Sequence, residues 1–121
     1  MEYLFIALGG ALGSFTRYTI GKKITEKKMS TFPIATFIIN ITGAILLGIV
    51  TSIGFDTYKY ALFGDGFLGA YTTFSTFMYE GFTLFQNNEK LNAAIYILFS
   101  FILGIIGYII GVEIYKWISI A

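Results

Sequence analysis

Two long stretches without a single charged residue constrain this chain more than any other feature of its sequence. Residues 29–55 and residues 91–112 contain no Asp, Glu, Lys or Arg. A helix that crosses the hydrocarbon core of a bilayer needs about 20 mostly apolar residues. Only 12% of the residues are charged and the mean hydropathy is +0.76, whereas soluble domains carry about 25% charged residues. The sequence therefore predicts an integral membrane protein.

We expect one domain, 1–121, with four membrane-spanning helices. The apolar stretches run at about 3–21, 32–53, 58–85 and 91–117. The third stretch is rich in glycine and is interrupted by Asp65 and Glu80, so a helix broken near its middle is expected there. The predicted fold class is an all-α membrane protein with four transmembrane helices.

Basic residues are unevenly distributed between the two ends of these helices. One end carries Arg17, Lys22, Lys23, Lys27, Lys28 and Lys90, and the other end carries Lys59 and Lys116. Cytoplasmic loops of membrane proteins are enriched in Lys and Arg. The bias therefore predicts that the first and third loops face the cytoplasm and that both termini lie outside.

Small residues recur at the spacing of one helical turn. The pairs are Gly9 with Gly13, Gly107 with Gly111, and Ser100 with Gly104. In membranes, small residues at this spacing let two helix backbones approach closely. We interpret these rows as packing surfaces between helices.

Several classes of function lack the residues that they require. The chain has no Cys and no His, which excludes disulfides, the usual zinc sites, iron–sulfur clusters and histidine proton relays. No nucleotide-binding loop and no recognisable nucleophile–base pair is present, which argues against an enzyme. The net charge of +1, without a basic aromatic patch, gives no indication of nucleic-acid binding.

The segment 69–77, with the sequence GAYTTFSTF, places hydroxyl groups and two phenylalanines in the middle of the third span. Phe74 and Phe77 are three residues apart and share a helix face, beside a polar stripe that includes Thr76 and Glu80. On spacing alone, packing in a core is the simpler interpretation of the two rings. Alternatively, their electropositive edges could face a small anion without a fixed positive charge.

Other polar residues leave two interpretations open. Asn40 shares a helix face with Thr36 and Gly43, and it could form an interhelical hydrogen bond or line an anion path. Tyr96 and Ser100 could extend such a path. Glu80 could lie at the interface or face a cavity, and Arg17 could snorkel to the headgroups or form part of a basic entrance for anions.

Together these residues resemble the fluoride channel family, the Fluc proteins, also called CrcB. The resemblance spans nearly the whole chain and is most specific in the run Thr-Thr-Phe-Ser-Thr-Phe at 72–77. The other matching positions are Gly9 to Gly13 with Arg17 and Tyr18, Pro33 with Thr36, Asn40 and Gly43, residues 66–69, Glu80, Tyr96 and Ser100.

The resemblance implies an antiparallel, dual-topology dimer in the bacterial plasma membrane, with two pores that carry fluoride passively out of the cell. By position, the pore residues are Asn40, Phe74, Phe77, Thr76, Glu80, Tyr96 and Ser100, and Arg17 lies at the vestibule. It also implies a structural sodium ion at the dimer centre, held by backbone carbonyls of Gly69 and Thr72. Oxygen ligands suit such a hard cation.

Two features depart from the family pattern. Ala35 and Ala44 replace residues that are more often glycine and serine, which is a small change. A subunit that inserts in both orientations should also have balanced flanking charge, whereas the lysines here crowd one end. The partner is therefore either a second copy of this chain or an oppositely oriented homologue.

Two alternative functions fit a chain of this size. A small multidrug-type exporter coupled to protons also has four spans and forms antiparallel dimers, but it needs a carboxylate deep in its first helix. The only acid near that helix is Glu2, at its start. A membrane scaffold without transport is the other alternative, and the clustering of Asn40, Thr73, Thr76 and Ser100 weighs against it.

Overall fold

A computed structural model describes residues 1–26 and 33–120 of the chain, and these residues form helices joined by short turns. Helix α1 runs over Glu2–Glu26 and α2 over Ile34–Ile53. The third predicted span consists of two helices, α3 at 57–71 and α4 at Ser75–Gln86, which together are called the third rod. Helix α5 runs over Lys90–Ile120. The predicted all-helical fold is confirmed. Lys27, Lys28 and the predicted start of the second span at Phe32 lie outside the described residues.

The third rod is irregular, as its glycine content predicts. Asp56 caps the start of α3 by accepting a hydrogen bond from the Lys59 N–H at 2.9 Å. The helix consists of the α-helical segment Thr57–Tyr60, the π-helical segment Ala61–Leu68 and one further turn, Gly69–Tyr71. It ends at Thr72, whose extended backbone (φ −81°, ψ 161°) cannot continue a helix. The prediction of a third helix broken near its middle is thereby confirmed.

Glycines set the closest contacts between helices. A side chain at Gly9 or Gly13 of α1 would overlap the carbonyl oxygens of Leu62 and Phe67 in α3. On the other side, α2 packs along α5, where Gly111 meets the backbone of α2 in the same way. These contacts confirm the predicted packing role of the two glycine pairs. Gly104 differs, because no described atom lies within 4 Å of the position of its missing Cβ.

The core of the bundle is small and its outer surface is apolar. One cluster joins Phe77, Leu84, Ala93 and Tyr96, and another joins Ile39, Leu68 and Tyr71. Two helices, α2 and α5, are long and apolar enough to cross a membrane, yet only 22% and 17% of their most apolar windows are buried in the protein. A soluble protein would bury such helices in its core, so these surfaces suit lipid or a partner chain.

Candidate functional site

The break in the third rod is held by one side chain from the neighbouring helix. The amide of Asn40 in α2 forms two hydrogen bonds to the backbone of Thr73. Its Nδ2 donates to the Thr73 carbonyl oxygen at 3.0 Å, and its Oδ1 accepts from the Thr73 N–H at 3.0 Å. Both backbone groups lie at membrane depth if this rod spans the bilayer, and there an unsatisfied polar group is costly. Asn40 therefore stabilises the break.

This clamp redirects the hydrogen bonds of the rod. In a continuous α-helix the Thr73 N–H would donate to the carbonyl of Gly69, and the Thr76 N–H to that of Thr72. Here the Thr73 N–H donates to Asn40, and the Thr76 N–H donates to the Thr73 hydroxyl at 3.2 Å. The carbonyls of Gly69 and Thr72 are thus released from helical bonding. These are the two carbonyls that the family resemblance assigns to a cation.

One face of α2 contacts the rod on both sides of the break. A Cβ at Gly43 would overlap the Thr72 side chain, which explains the glycine at this point of closest approach. One helical turn before Asn40, the buried Thr36 hydroxyl donates to Glu80 Oε1 at 2.5 Å. The face predicted from Thr36, Asn40 and Gly43 therefore does pack against the broken rod.

The two phenylalanines of the run lie in different environments. Phe74 precedes α4 and is 69% exposed, whereas Phe77 is 5% exposed. Their ring centroids are 6.2 Å apart at an interplanar angle of 47°. Phe77 also packs on Tyr96 at 5.0 Å, and it meets Phe101 edge to face at 6.2 Å and 81°. The structure thus places one ring in the core and the other on the surface of the chain.

A cavity of about 600 Å³ opens beside the break. Predicted site residues line it, namely Asn40, Gly69, Thr72, Phe74, Phe77 and Ser100. The Ser100 hydroxyl oxygen is buried and has no hydrogen-bond partner among the described residues. Asn40 keeps one of its two amide N–H groups available, because Nδ2 carries two hydrogens and only one is needed by Thr73. The cavity therefore combines aromatic rings with two unengaged polar groups.

Other predicted site residues lie outside the wall of this cavity. Thr76 is exposed on α4, and Glu80 is half-buried and bonded to Thr36. Tyr96 is fully buried in α5 against Phe77. Arg17 is half-buried on α1. Tyr96 thus contacts Phe77, which lines the cavity, whereas Thr76, Glu80 and Arg17 are not among the lining residues.

Some residues and contacts of the site were not predicted from the sequence. Phe101 completes the aromatic wall, and no spacing signal singles it out within an apolar helix. The bond between Thr36 and Glu80 could have been found, because Thr36 precedes Asn40 by one turn on the same face. Asp65 also lines the cavity, although in the sequence it only marked an interruption of the span.

Fold and site together define a class of small, apolar helical protein whose third rod is broken beside an aromatic and polar cavity. A family model described as CrcB-like protein, Camphor Resistance (CrcB), matches residues 4–112, and the chain belongs to this family. The resemblance to the fluoride channel family is thereby confirmed.

Relatives that carry the name fluoride-specific ion channel cover nearly the whole chain. FluC 2 of Clostridium acetobutylicum is 60% identical over 111 residues, which is 92% of this chain and 95% of that protein. FluC 2 of Bacillus cereus is 41% identical, covering 94% and 97%. FluC 1 of Ligilactobacillus salivarius is 46% identical, covering 88% and 92%.

Proposed function

We propose that this chain forms a fluoride-selective channel that lets fluoride leave the bacterial cell passively. The observation that carries the proposal is the cavity beside the break. It brings together the spare N–H of Asn40, the buried hydroxyl of Ser100 and the rings of Phe74 and Phe77. No Lys or Arg lies among the residues that line this described cavity.

That combination suits a small anion in transit. Fluoride gives up strong hydration when it enters a narrow path, and donors such as N–H, O–H and electropositive ring edges replace part of it. A fixed positive charge would hold the anion too firmly for release. Conduction requires several weak sites in a row, and Asn40, Phe74, Phe77 and Ser100 supply them in one cavity.

A second subunit would complete the pore. The cavity is open on the surface of the protomer, and Phe74 is exposed at its rim. A second, more apolar cavity continues along α5, sharing Ser100 and Phe101 with the first and reaching Gly104, beside which there is open space. We propose that this face packs against an oppositely oriented subunit, so that the dimer encloses two pores and Thr76, Glu80 and Tyr96 continue the polar path.

The sodium ion of the family fits the backbone at the break. The residues that would hold it are Gly69 and Thr72, whose carbonyls the Asn40 clamp releases from helical bonding. Carbonyl oxygens are the ligand type that a hard monovalent cation prefers. The ion would supply positive charge to bind the carbonyls of two subunits together. In this proposal its role is structural.

Charge distribution bears on which partner completes the dimer. Lys22 and Lys23 lie at the end of α1 and Lys90 at the start of α5, while Lys116 at the opposite end pairs with Glu113 at 3.3 Å. This bias favours one insertion orientation. Relatives bear both the names FluC 1 and FluC 2, which is compatible with paired subunits. We propose that the partner is an oppositely oriented homologue in preference to a second copy.

The exporter alternative makes a different prediction about driving force. An exporter of that class would need a carboxylate deep in α1. Glu2 instead lies exposed in the first turn of this helix. The test uses purified protein in liposomes loaded with potassium fluoride and no pH gradient. A channel should release fluoride when valinomycin carries potassium out. Release that needs an imposed pH gradient would contradict the channel and favour proton-coupled export.

A further inference from the structure

An acidic residue stands on the wall of the same cavity, one turn before the released carbonyls. Asp65 lies in the π-helical segment of α3 and precedes Gly69 by four residues. It lines the cavity together with Gly69 and Thr72 and is exposed in the protomer. Among residues 1–26 and 33–120, Asp65 forms no ion pair with a basic residue. The ion pair found there joins Lys116 and Glu113.

A negative charge at the position of Asp65 is energetically unfavourable unless a cavity or a counter-charge compensates it. The residue lies about 10 Å from the middle of the third rod, taking about 1.5 Å of rise per residue. That places it within the half-thickness of a hydrocarbon core about 30 Å thick. A carboxylate at this depth faces a cavity or a counter-charge, because exposure to lipid is strongly unfavourable. The cavity that it lines is where a cation is proposed to bind.

We propose that Asp65 supplies the fixed negative charge that holds the cation at the Gly69 and Thr72 carbonyls. The proposal rests on the dimer and the cation of the proposed function. Backbone carbonyls contribute dipoles but no net charge, so a nearby carboxylate would add to the attraction for the cation. The Asp65 carboxylate lies too far along the helix to be a direct ligand, and it acts on the ion through space.

The size of the effect follows from the separation. Asp65 precedes Gly69 by four residues of helix and the carbonyls point away from it, so roughly 8 Å would separate the carboxylate from a cation held there. At an effective dielectric constant of about 20, the attraction at this distance raises affinity more than tenfold before screening by salt. With screening at about 0.1 M salt, we expect the neutral variant to bind the cation about fivefold more weakly.

The bound cation would also offset the effect of the Asp65 charge on fluoride in the anion path. Its carboxylate lies on the cavity that contains Phe74 and Phe77, and an uncompensated negative charge there would repel fluoride. With the cation bound, the two charges offset each other. The Asp65→Asn variant should therefore need more sodium than the wild type to remain assembled.

The experiment measures assembly against sodium. Purified wild type and Asp65→Asn, each with its partner subunit if one is required, are heated in detergent over a sodium series with N-methylglucamine as replacement. The sodium concentration that half-protects the dimer is read by size-exclusion chromatography. Asp56→Asn is the matched control, because it removes the same charge from the start of α3 and an asparagine still caps a helix. Fluoride release from liposomes is measured separately.

We expect the protective sodium midpoint to rise about fivefold in Asp65→Asn and to stay unchanged in Asp56→Asn. Equal midpoints in wild type and Asp65→Asn, or assembly of the wild type that ignores sodium, would overturn the proposal. If Asp65→Asn does not assemble, Asp65→Glu and Asp65→Ser take its place, and a Glu variant that resembles Ser would also overturn it. Fluoride release by the wild type remains a separate measurement, so failure of the channel proposal is recognisable independently.

Discussion

Replacing Asn40 with alanine should loosen the break in the third rod. The substitution removes both hydrogen bonds to the Thr73 backbone, each 3.0 Å long. It leaves a backbone donor and a backbone acceptor without their side-chain partners. Because the same amide faces the cavity, the variant should lose stability and fluoride flux together.

The magnitude follows from the two bonds. Interhelical hydrogen bonds in membrane proteins contribute about 0.6 kcal/mol on average and up to about 1.7 kcal/mol. Two bonds to one backbone unit therefore give a loss of about 1–3 kcal/mol. The upper part of this range applies if water cannot reach Thr73, since an unsatisfied buried group costs about 1–3 kcal/mol by itself.

The assay is the free energy of unfolding in mixed micelles, titrated with denaturing detergent, beside fluoride release from liposomes. Asn92→Ala is the matched control, because that amide donates to Glu89 Oε1 at 3.2 Å at the start of α5. Asn40→Asp tests the anion path by charge. It keeps an acceptor for the Thr73 N–H but sets a second carboxylate oxygen against the Thr73 carbonyl oxygen, so it should be no more stable than Asn40→Ala, and its negative charge should stop fluoride flux.

Two results would refute this reasoning. Equal stability of Asn40→Ala and the wild type would mean that the clamp on Thr73 contributes nothing to the break. Normal flux in Asn40→Asp would mean that the amide does not face the anion path.

Three further substitutions test neighbouring contacts. Phe74→Ile should change stability by less than about 0.5 kcal/mol, because the ring is 69% exposed, but it should abolish fluoride release; retained release would exclude the ring edge from the path. Thr36→Val should cost about 1–2 kcal/mol by removing the bond to Glu80, measured by detergent unfolding, with Thr83→Val as control. Gly43→Ala should cost about 1–3 kcal/mol by the same assay, since its methyl group would overlap the Thr72 side chain, and an unchanged stability would contradict that contact.

Much of the fold could be predicted from the sequence, because long uncharged apolar runs are a strong indication of helices. Uncharged runs mark α2 and α5, and the glycine pairs mark the faces that meet. The break also had a signal, because Gly64, Gly66 and Gly69 precede a run of hydroxyl residues. Its location was less accessible. The rod breaks at Thr72, after the glycines, since the Asn40 side chain competes there for the backbone bonds of Thr73.

The site was accessible only in part. The shared face of Thr36, Asn40 and Gly43 follows from helical spacing, and the structure packs it against the rod. The different exposures of Phe74 and Phe77 do not follow from spacing, because a residue at the start of a new helix leaves the register of the preceding one. Asp65 and Phe101 reach the cavity through tertiary packing, which no local pattern encodes.

Side-by-side flux of two anions tests the central claim most directly. Liposomes containing the protein, with its partner subunit if one is required, are loaded with equal potassium fluoride and potassium chloride, and valinomycin starts release. Electrodes for fluoride and chloride read the same sample. The account predicts rapid fluoride release, with chloride release at the level of protein-free liposomes. Comparable release of both anions, or release of neither, would contradict it.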